Sequence, residues 1–286
     1  MIETISEHAS FGGTQGFYRH QSSVIGLPMK FSVYVPPRLE NSAKPDKLPA
    51  LFYLAGLTCN EETFPIKACA QKFAAERGVM LIAPDTSPRA TGIEGATSDW
   101  DFGEGAGFYL DASESPWSKY FRMESYIVDE LREIIFANFA ANKNRVGIFG
   151  HSMGGHGALT LALRHLDMFK SVSAFAPIAA PMKCPWGEKA FSRYLGSDKT
   201  VWAQHDASSL MAQMNTPFAH GILIDQGLGD KFLAEQLHPR EFEAACKIAN
   251  QPLTLDRHIA YDHGYYFIAS LMEKHIAFHA KALSRQ

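Results

Sequence analysis

The sequence predicts an α/β fold: a mostly parallel central sheet with an antiparallel N-terminal edge and helices on both faces. Three observations support this prediction. Short, nearly continuous apolar runs recur along the chain, as in strands that are covered on both sides. Longer segments with helical spacing lie between these runs, and one early strand alternates between apolar and polar residues. Strands that alternate with crossover helices form a parallel sheet, whereas an alternating strand is typical of an antiparallel edge.

The strands are predicted from the apolar runs. The early segment FSVYVP at 31–36 alternates, so it is expected to be a half-exposed antiparallel strand. The remaining strands are predicted at 48–56, 79–84, 145–150, 171–178, 220–227 and 253–258. The polar stretch 36–47 is rich in residues that break regular structure, which predicts a loop between two strands.

Helical spacing predicts the crossover segments. They are expected at 65–77, 119–141, 153–166, 231–249 and 265–282. The second has a broad apolar stripe formed by Phe121, Tyr126, Ile127, Leu131, Ile134, Ile135 and Phe139. Because no composition shift marks a boundary, a single domain over 1–286 is predicted.

Composition and charge exclude several classes of protein. With 46% apolar and 20% charged residues, the chain is neither disordered nor fibrous. A net charge of −3 argues against nucleic acid as a partner. No apolar run approaches the roughly 18 residues that span a bilayer, and no secretory signal is recognisable, so no membrane partner is expected. The four scattered cysteines fit a reducing cytoplasm.

The sharpest motif is GHSMGG at 150–155, which lies between a predicted strand and a predicted helix. This strand–turn–helix context is required of a G-x-S-x-G nucleophile elbow, which presents Ser152 at the top of an α/β-hydrolase sheet. Gly150 and Gly154 are needed there because a side chain would collide with the neighbouring backbone. The alternative interpretation is a glycine-rich turn in which the serine has no catalytic role. The motif therefore predicts a nucleophilic Ser152, with the N–H of Met153 as an oxyanion donor.

The acid of a Ser-His-Asp triad should follow a strand that comes after the nucleophile. The segment HGILIDQGLGDKFL supplies Asp225, at the strand end, and Asp230, farther out on the loop. Asp230 is favoured, although Asp is also a common N-cap and could simply begin the helix 231–249. Asp225 therefore remains the alternative.

The base is sought among the histidines that follow the nucleophile. They are His238, His258, His263, His275 and His279. His263 lies between the last strand and the last helix, where the hydrolase fold presents its base. His275 and His279 have a spacing that could suit a metal, but the H-E-x-x-H pattern is missing, so no metal site is predicted. His151 and His156 flank the nucleophile and are interpreted as packing or polar framing.

These residues predict a mechanism of acyl transfer. His263 would activate Ser152 as a general base, and Asp230 would hold the imidazole tautomer. A second oxyanion donor should come from the loop after an early strand. That loop is AGLT at 55–58, which makes the N–H of Leu57 the candidate.

The chain resembles the S-formylglutathione hydrolase (esterase D) family over nearly its whole length. Seven blocks carry the resemblance: LAGLTCNEETF (54–64), APDTSPR (83–89), WDFGEGAGFYLDA (100–112), GHSMGGHGAL (150–159), CPWGEKAF (184–191), DQGLGDKFL (225–233) and YDHGYYFI (261–268). Ala55 and Gly264 stand where serine is expected, and neither is a triad position.

The resemblance implies the same catalytic residues. The family's nucleophile, acid, base and oxyanion amides fall on Ser152, Asp230, His263, Leu57 and Met153. It also implies a thiol near the site, which falls on Cys59. The aromatic side chains that it implies around the pocket fall on Trp186, Trp100 and Phe102. The alternative for these four residues is ordinary core packing.

The activity that the resemblance implies is hydrolysis of S-formylglutathione to glutathione and formate, without a cofactor, in a cytoplasmic homodimer. A small acyl pocket and some Lys or Arg at its entrance are expected, because formyl is minute and glutathione is anionic. The alternative is a general short-chain carboxylesterase with another physiological substrate. Two hypotheses from other functional classes are a non-catalytic binding protein and a metal-dependent hydrolase.

Overall fold

The computed structural model describes residues 1–37 and 47–284, so most of the predicted loop 36–47 lies outside the described residues. Within those ranges nine strands form one sheet, in the order β1-β2-β3-β5-β4-β6-β7-β8-β9. The strands are β1 Ile2–Ser10, β2 Gly13–Gln21, β3 Pro28–Val35, β4 Leu48–Leu54, β5 Met80–Pro84, β6 Ala141–His151, β7 Ser171–Phe175, β8 Ile222–Gly227 and β9 Leu253–His258.

The sheet has the predicted mixed topology. Strands β1, β2, β3 and β5 pair antiparallel in that order, whereas β5, β4 and β6 to β9 pair parallel. This confirms the prediction of a mostly parallel sheet with an antiparallel N-terminal edge. The sequence did not predict β1 and β2, because β1 is largely solvent-exposed and carries few apolar residues. The two strands form a hairpin whose turn, Phe11 and Gly12, has positive φ at both residues.

Ten α-helices accompany these strands in the described part of the chain. They are α1 Thr63–Lys67, α2 Ala70–Arg77, α3 Met123–Ser125, α4 Arg132–Asn138, α5 Met153–Arg164, α6 Pro185–Tyr194, α7 Lys199–Ala203, α8 Ala207–Ala212, α9 Pro239–Ile248 and α10 Tyr265–Ala282. A π-helical segment, Tyr126–Leu131, joins α3 to α4, and another, Leu233–Leu237, precedes α9.

Two predicted helices are broken where one residue adopts a left-handed conformation. The segment 65–77 is interrupted at Cys69, with φ 55°, and the segment 231–249 at His238, with φ 47°. His238 precedes Pro239, whose ring disfavours a helical conformation of the residue before it. The predicted helix 119–141 extends too far at both ends, because the α-helical part starts at 123 and ends at 138, and β6 already begins at 141. Helices α6 to α8 were not predicted.

Strand β7 shows that helices cover both faces of the sheet. Successive side chains of a strand point to opposite faces. The Ser173 hydroxyl contacts His275 of α10, whereas Ala174, the next residue, lies beside Gly155 of α5. Helices α5 and α10 therefore lie on opposite sides of the sheet, as predicted.

A polar network ties α10 to the sheet interior. The buried carboxylate of Asp225, at the end of β8, accepts hydrogen bonds from Lys274, His258 and His275 at 2.6–2.9 Å. Burial alone would raise the pKa of Asp225, but these donors lower it below its ordinary value. Asp225 therefore fixes the last helix to the ends of β8 and β9, from which two site loops emerge.

Asp225→Asn should lower the free energy of unfolding by about 3 kcal/mol, because it removes the buried charge that accepts hydrogen bonds from His258, His275 and the partly exposed Lys274. The matched control is Asp256→Asn, which removes a half-exposed carboxylate on the same Lys274 and should cost about 1 kcal/mol or less. Urea unfolding followed by circular dichroism measures both. Equal losses would contradict the anchoring role of Asp225.

Candidate active site

Ser152 lies in a strained turn between β6 and α5. Its backbone has φ 58° and ψ −118°, a conformation that costs free energy for any residue with a side chain. The turn is tight because a Cβ at Gly150 would collide with the carbonyl of Gly154, and a Cβ at Gly154 with the carbonyl of Leu54. The structure thus has the strand–turn–helix geometry expected of a nucleophile elbow.

Backbone hydrogen bonds hold this turn in place. The N–H of Ser152 donates to the carbonyl of Phe175 at 3.0 Å, and its own carbonyl accepts from His156 and Ile178 at 2.9 and 3.2 Å. Helix α5 begins at the next residue, Met153, so its free N-terminal N–H groups and its dipole lie at the serine. These hydrogen bonds and the start of α5 therefore stabilise the strained backbone of Ser152.

His263 is bonded to Asp230, as the sequence predicted. The Nδ1–H of His263 donates to Oδ2 of Asp230 at 2.5 Å. The other carboxylate oxygen of Asp230 accepts from the N–H of Phe232 at 2.8 Å, so this residue serves both as the histidine partner and in the local turn. With Nδ1 carrying the proton, Nε2 of His263 is the acceptor nitrogen and can act as a base. Asp225, the alternative acid, instead bonds to His258, Lys274 and His275.

His263 lies beside the nucleophile turn. Its ring centroid is 4.4 Å from that of His151, the residue before Ser152. Among the described residues, no hydrogen bond joins the Ser152 hydroxyl to His263. Such bonds often form only in the complex with substrate. The pKa of His151 is well below its ordinary value because of burial and then the neighbouring His263, so His151 packs there as a neutral ring, as predicted.

The loop after β4 lies against the nucleophile. A Cβ built on Gly56 would be 3.2 Å from Cβ of Ser152, so a side chain at this position would crowd the serine. The N–H of the next residue, Leu57, has no acceptor within the ranges that the structure describes. Leu57 and Met153 thus lie on the two elements that adjoin Ser152, and their roles as oxyanion donors stay a prediction.

Side chains outside the predicted set fix this loop. The Tyr109 hydroxyl donates to the carbonyl of Ala55 at 2.8 Å, and Nη2 of Arg89 donates to the carbonyl of Cys59 at 2.8 Å. Arg89 is itself held by a salt bridge to Asp85. Neither Tyr109 nor Arg89 was predicted as a site residue, and the one sequence signal for them is their position in two of the family blocks.

The predicted pocket aromatics are only partly brought together. Trp186 packs on Phe232, with centroids 4.7 Å apart, and Phe232 meets the edge of His263 at 5.1 Å. The exposed Trp100 contacts the edge of Trp186 at 5.5 Å, which extends this aromatic wall toward solvent. Phe232 was not predicted as a site residue, although it is two residues after Asp230.

Phe102 and Cys59 are not part of this aromatic wall. Phe102 is fully buried and stacks on Tyr194, with centroids 4.5 Å apart, so its described contacts are those of core packing. Cys59 is partly buried in the turn that follows Leu57, and burial raises the pKa of its thiol. Its role near the site stays a prediction.

Residues 1–37 and 47–284 contain neither a membrane-spanning helix nor a cluster of metal ligands. None of the helices there has the length and apolar character needed to cross a bilayer. No group of three or more His, Cys, Asp or Glu residues in these ranges is arranged to hold a metal ion. His275 and His279 instead bind the hydroxyls of Ser171 and Ser173.

Comparison with known proteins identifies the family. An esterase family model matches residues 22–278. The chain is 49% identical to S-formylglutathione hydrolase of Arabidopsis thaliana, over 99% of this chain and 98% of that protein, and 48% identical to that of Paracoccus denitrificans, over 98% of each. A solved S-formylglutathione hydrolase from Agrobacterium tumefaciens superimposes with a TM-score of 0.93 at 44% identity, covering 98% of this chain and 99% of that one. The chain therefore belongs to the S-formylglutathione hydrolase family of serine esterases.

Proposed function

We propose that this protein hydrolyses the thioester S-formylglutathione to glutathione and formate by a Ser-His-Asp mechanism. The observation that carries the proposal is the His263–Asp230 hydrogen bond beside the strained turn of Ser152. The close similarity to proteins named S-formylglutathione hydrolase supports the choice of substrate.

In the first half of the reaction, Nε2 of His263 takes the proton of the Ser152 hydroxyl as its oxygen attacks the formyl carbon. The N–H groups of Leu57 and Met153 donate to the oxyanion that develops. Asp230 stabilises the imidazolium, which then gives its proton to the departing glutathione sulfur. Formyl-Ser152 and glutathione result.

In the second half, water attacks the formyl ester while His263 takes a proton from the water and returns one to Ser152. Formate leaves and the free serine is restored. Every step uses groups of the protein, so the mechanism requires no cofactor.

A cytoplasmic homodimer is part of the same proposal. The resemblance to the family supports it, as do four cysteines that are all free thiols. Exposed apolar side chains near the site loops, Ile259 and Tyr266, offer surface that a partner copy could cover.

The substrate assignment is tested by comparing kcat/KM for S-formylglutathione with kcat/KM for p-nitrophenyl acetate. The thioester should be favoured by about tenfold or more, because a site built for a particular leaving group adds binding energy in the transition state. Steady-state kinetics at one pH and ionic strength provides the ratio. A strong preference for the aryl ester would indicate a general carboxylesterase instead.

Ser152→Ala should lower kcat by about 10³-fold or more and abolish labelling by a fluorophosphonate, because no activated hydroxyl remains. Ser173→Ala is the matched control, since Ser173 also bonds a histidine, at 2.8 Å, but is fully buried. That variant should still be labelled. Mass spectrometry locates the adduct and circular dichroism verifies folding. Labelling of Ser152→Ala at another serine would exclude the proposed nucleophile.

Asp230→Asn should lower kcat by roughly 10³- to 10⁴-fold, because an amide does not hold the productive imidazole tautomer. Asp225→Asn should change kcat per folded molecule far less, since Asp225 anchors α10 and has no contact with His263 among the residues described. Both variants are measured at a temperature at which circular dichroism shows them folded. The reverse order would make Asp225 the catalytic acid.

A further inference from the structure

The mechanism fixes where the leaving thiol must lie. His263 protonates the departing sulfur, so the sulfur has to come within hydrogen-bond distance of Nε2 of His263. The rest of the thiol therefore extends from the His263 side of the site, away from the oxyanion loop. This reasoning rests on the proposed function.

On that side, Lys231 lies next to the residues that contact the base. Its Nζ atom is 4.9 Å from the ring centroid of Phe232, whose edge meets the His263 ring at 5.1 Å. These two distances together set an upper limit on the separation between the ammonium and the imidazole. From its sulfur, the glycine carboxylate of a glutathionyl group can reach roughly 6–8 Å. A carboxylate of the bound thiol can thus meet Lys231.

The charge of Lys231 is also available for a ligand. Its side chain is exposed, and no described residue forms an ion pair with it. Two lysines before and within the helix that carries Trp186 are, in contrast, already compensated: Lys183 pairs with Glu241, and Lys189 with Asp99 and Asp101. In a protein of net charge −3, an anionic substrate is attracted by local positive charge rather than by the whole molecule.

We propose that Lys231 binds a carboxylate of the leaving thiol and is a specificity-determining residue of the site. The carbon chain of the thiol lies along Phe232 and Trp186, and the ammonium of Lys231 is the charged end of this surface. Phe232 positions the ammonium through a cation–π contact. Lys231 therefore selects for thiols that carry a carboxylate at this distance from sulfur.

Another lysine without an ion pair among the described residues, Lys67, contacts a different ring near the site. Its Nζ atom is 5.9 Å from the ring centroid of Tyr265, and that ring lies 6.1 Å from the ring of His151. Lys67 is therefore the natural comparison for Lys231, because it tests whether any exposed cation near the site has the same effect.

The experiment uses two substrates, S-formylglutathione and its dimethyl ester, in which two methyl groups mask both negatively charged carboxylates. Lys231→Gln and Lys231→Glu should lower kcat/KM for S-formylglutathione by about 3- to 5-fold and 10- to 30-fold, mainly through KM. For the dimethyl ester the changes should stay within about twofold. Lys231→Arg should restore most of the selectivity for the charged substrate. Lys143→Glu, at the opposite end of β6, is the control and should alter neither substrate.

Several results would overturn the assignment. Equal losses on both substrates would mean that Lys231 acts through Asp230 and His263. An effect of Lys67→Glu without an effect of Lys231→Glu would place the carboxylate on the other flank. A wild-type enzyme that hydrolyses both thioesters equally well would exclude carboxylate recognition, yet it would leave the thioesterase function intact. Slow hydrolysis of both thioesters relative to p-nitrophenyl acetate would instead contradict the proposed function.

Discussion

The close approach of Gly154 to the carbonyl of Leu54 is the constraint on which the site depends. Since no side chain fits between them, β4, the elbow and α5 are fixed in one arrangement. Ser152 has its strained conformation in this turn, and the loop after β4 lies against it through Gly56. The same packing therefore places the proposed nucleophile and the proposed oxyanion donors. A packed scaffold of this kind can store backbone strain at a reactive residue because surrounding elements over-determine its geometry.

Two aspartates on one segment, Asp225 and Asp230, have different structural partners. Asp225 lies near the end of β8 and binds α10, while Asp230 lies past Gly227 and Gly229 and binds His263. Both glycines lie close to carbonyl groups of the loop that carries His263, where a Cβ would be crowded. The loops of Asp230 and His263 therefore pack directly on each other, and Asp225 anchors the strands from which both emerge. Anchoring and the proposed catalysis use different carboxylates, which separates the effects expected on stability from those expected on kcat.

The sequence was informative where local pattern and structure agree. Continuous apolar runs marked the buried strands, and the glycines around Ser152 and the loop position of His263 indicated their parts in the site. Prediction from the sequence failed where tertiary contacts determine the structure. The exposed strand β1 pairs by main-chain hydrogen bonds that leave little apolar pattern. Phe232 gains its importance only from the ring that it meets, and Phe102 is a core residue because Tyr194 stacks on it.

A second arrangement in the molecule shows that triad contacts alone do not make an active site. Because Asp225 is ionised, His275 must donate to it from Nε2, so its Nδ1 accepts from the hydroxyl of Ser173. The protonation pattern is the one proposed for Ser152, His263 and Asp230. Yet Ser173 lies in the middle of β7, fully buried under α10, where no substrate can reach it. What distinguishes Ser152 is its place on a strained turn at a helix N-terminus, with the proposed oxyanion donors on two adjoining elements and the proposed base on a loop.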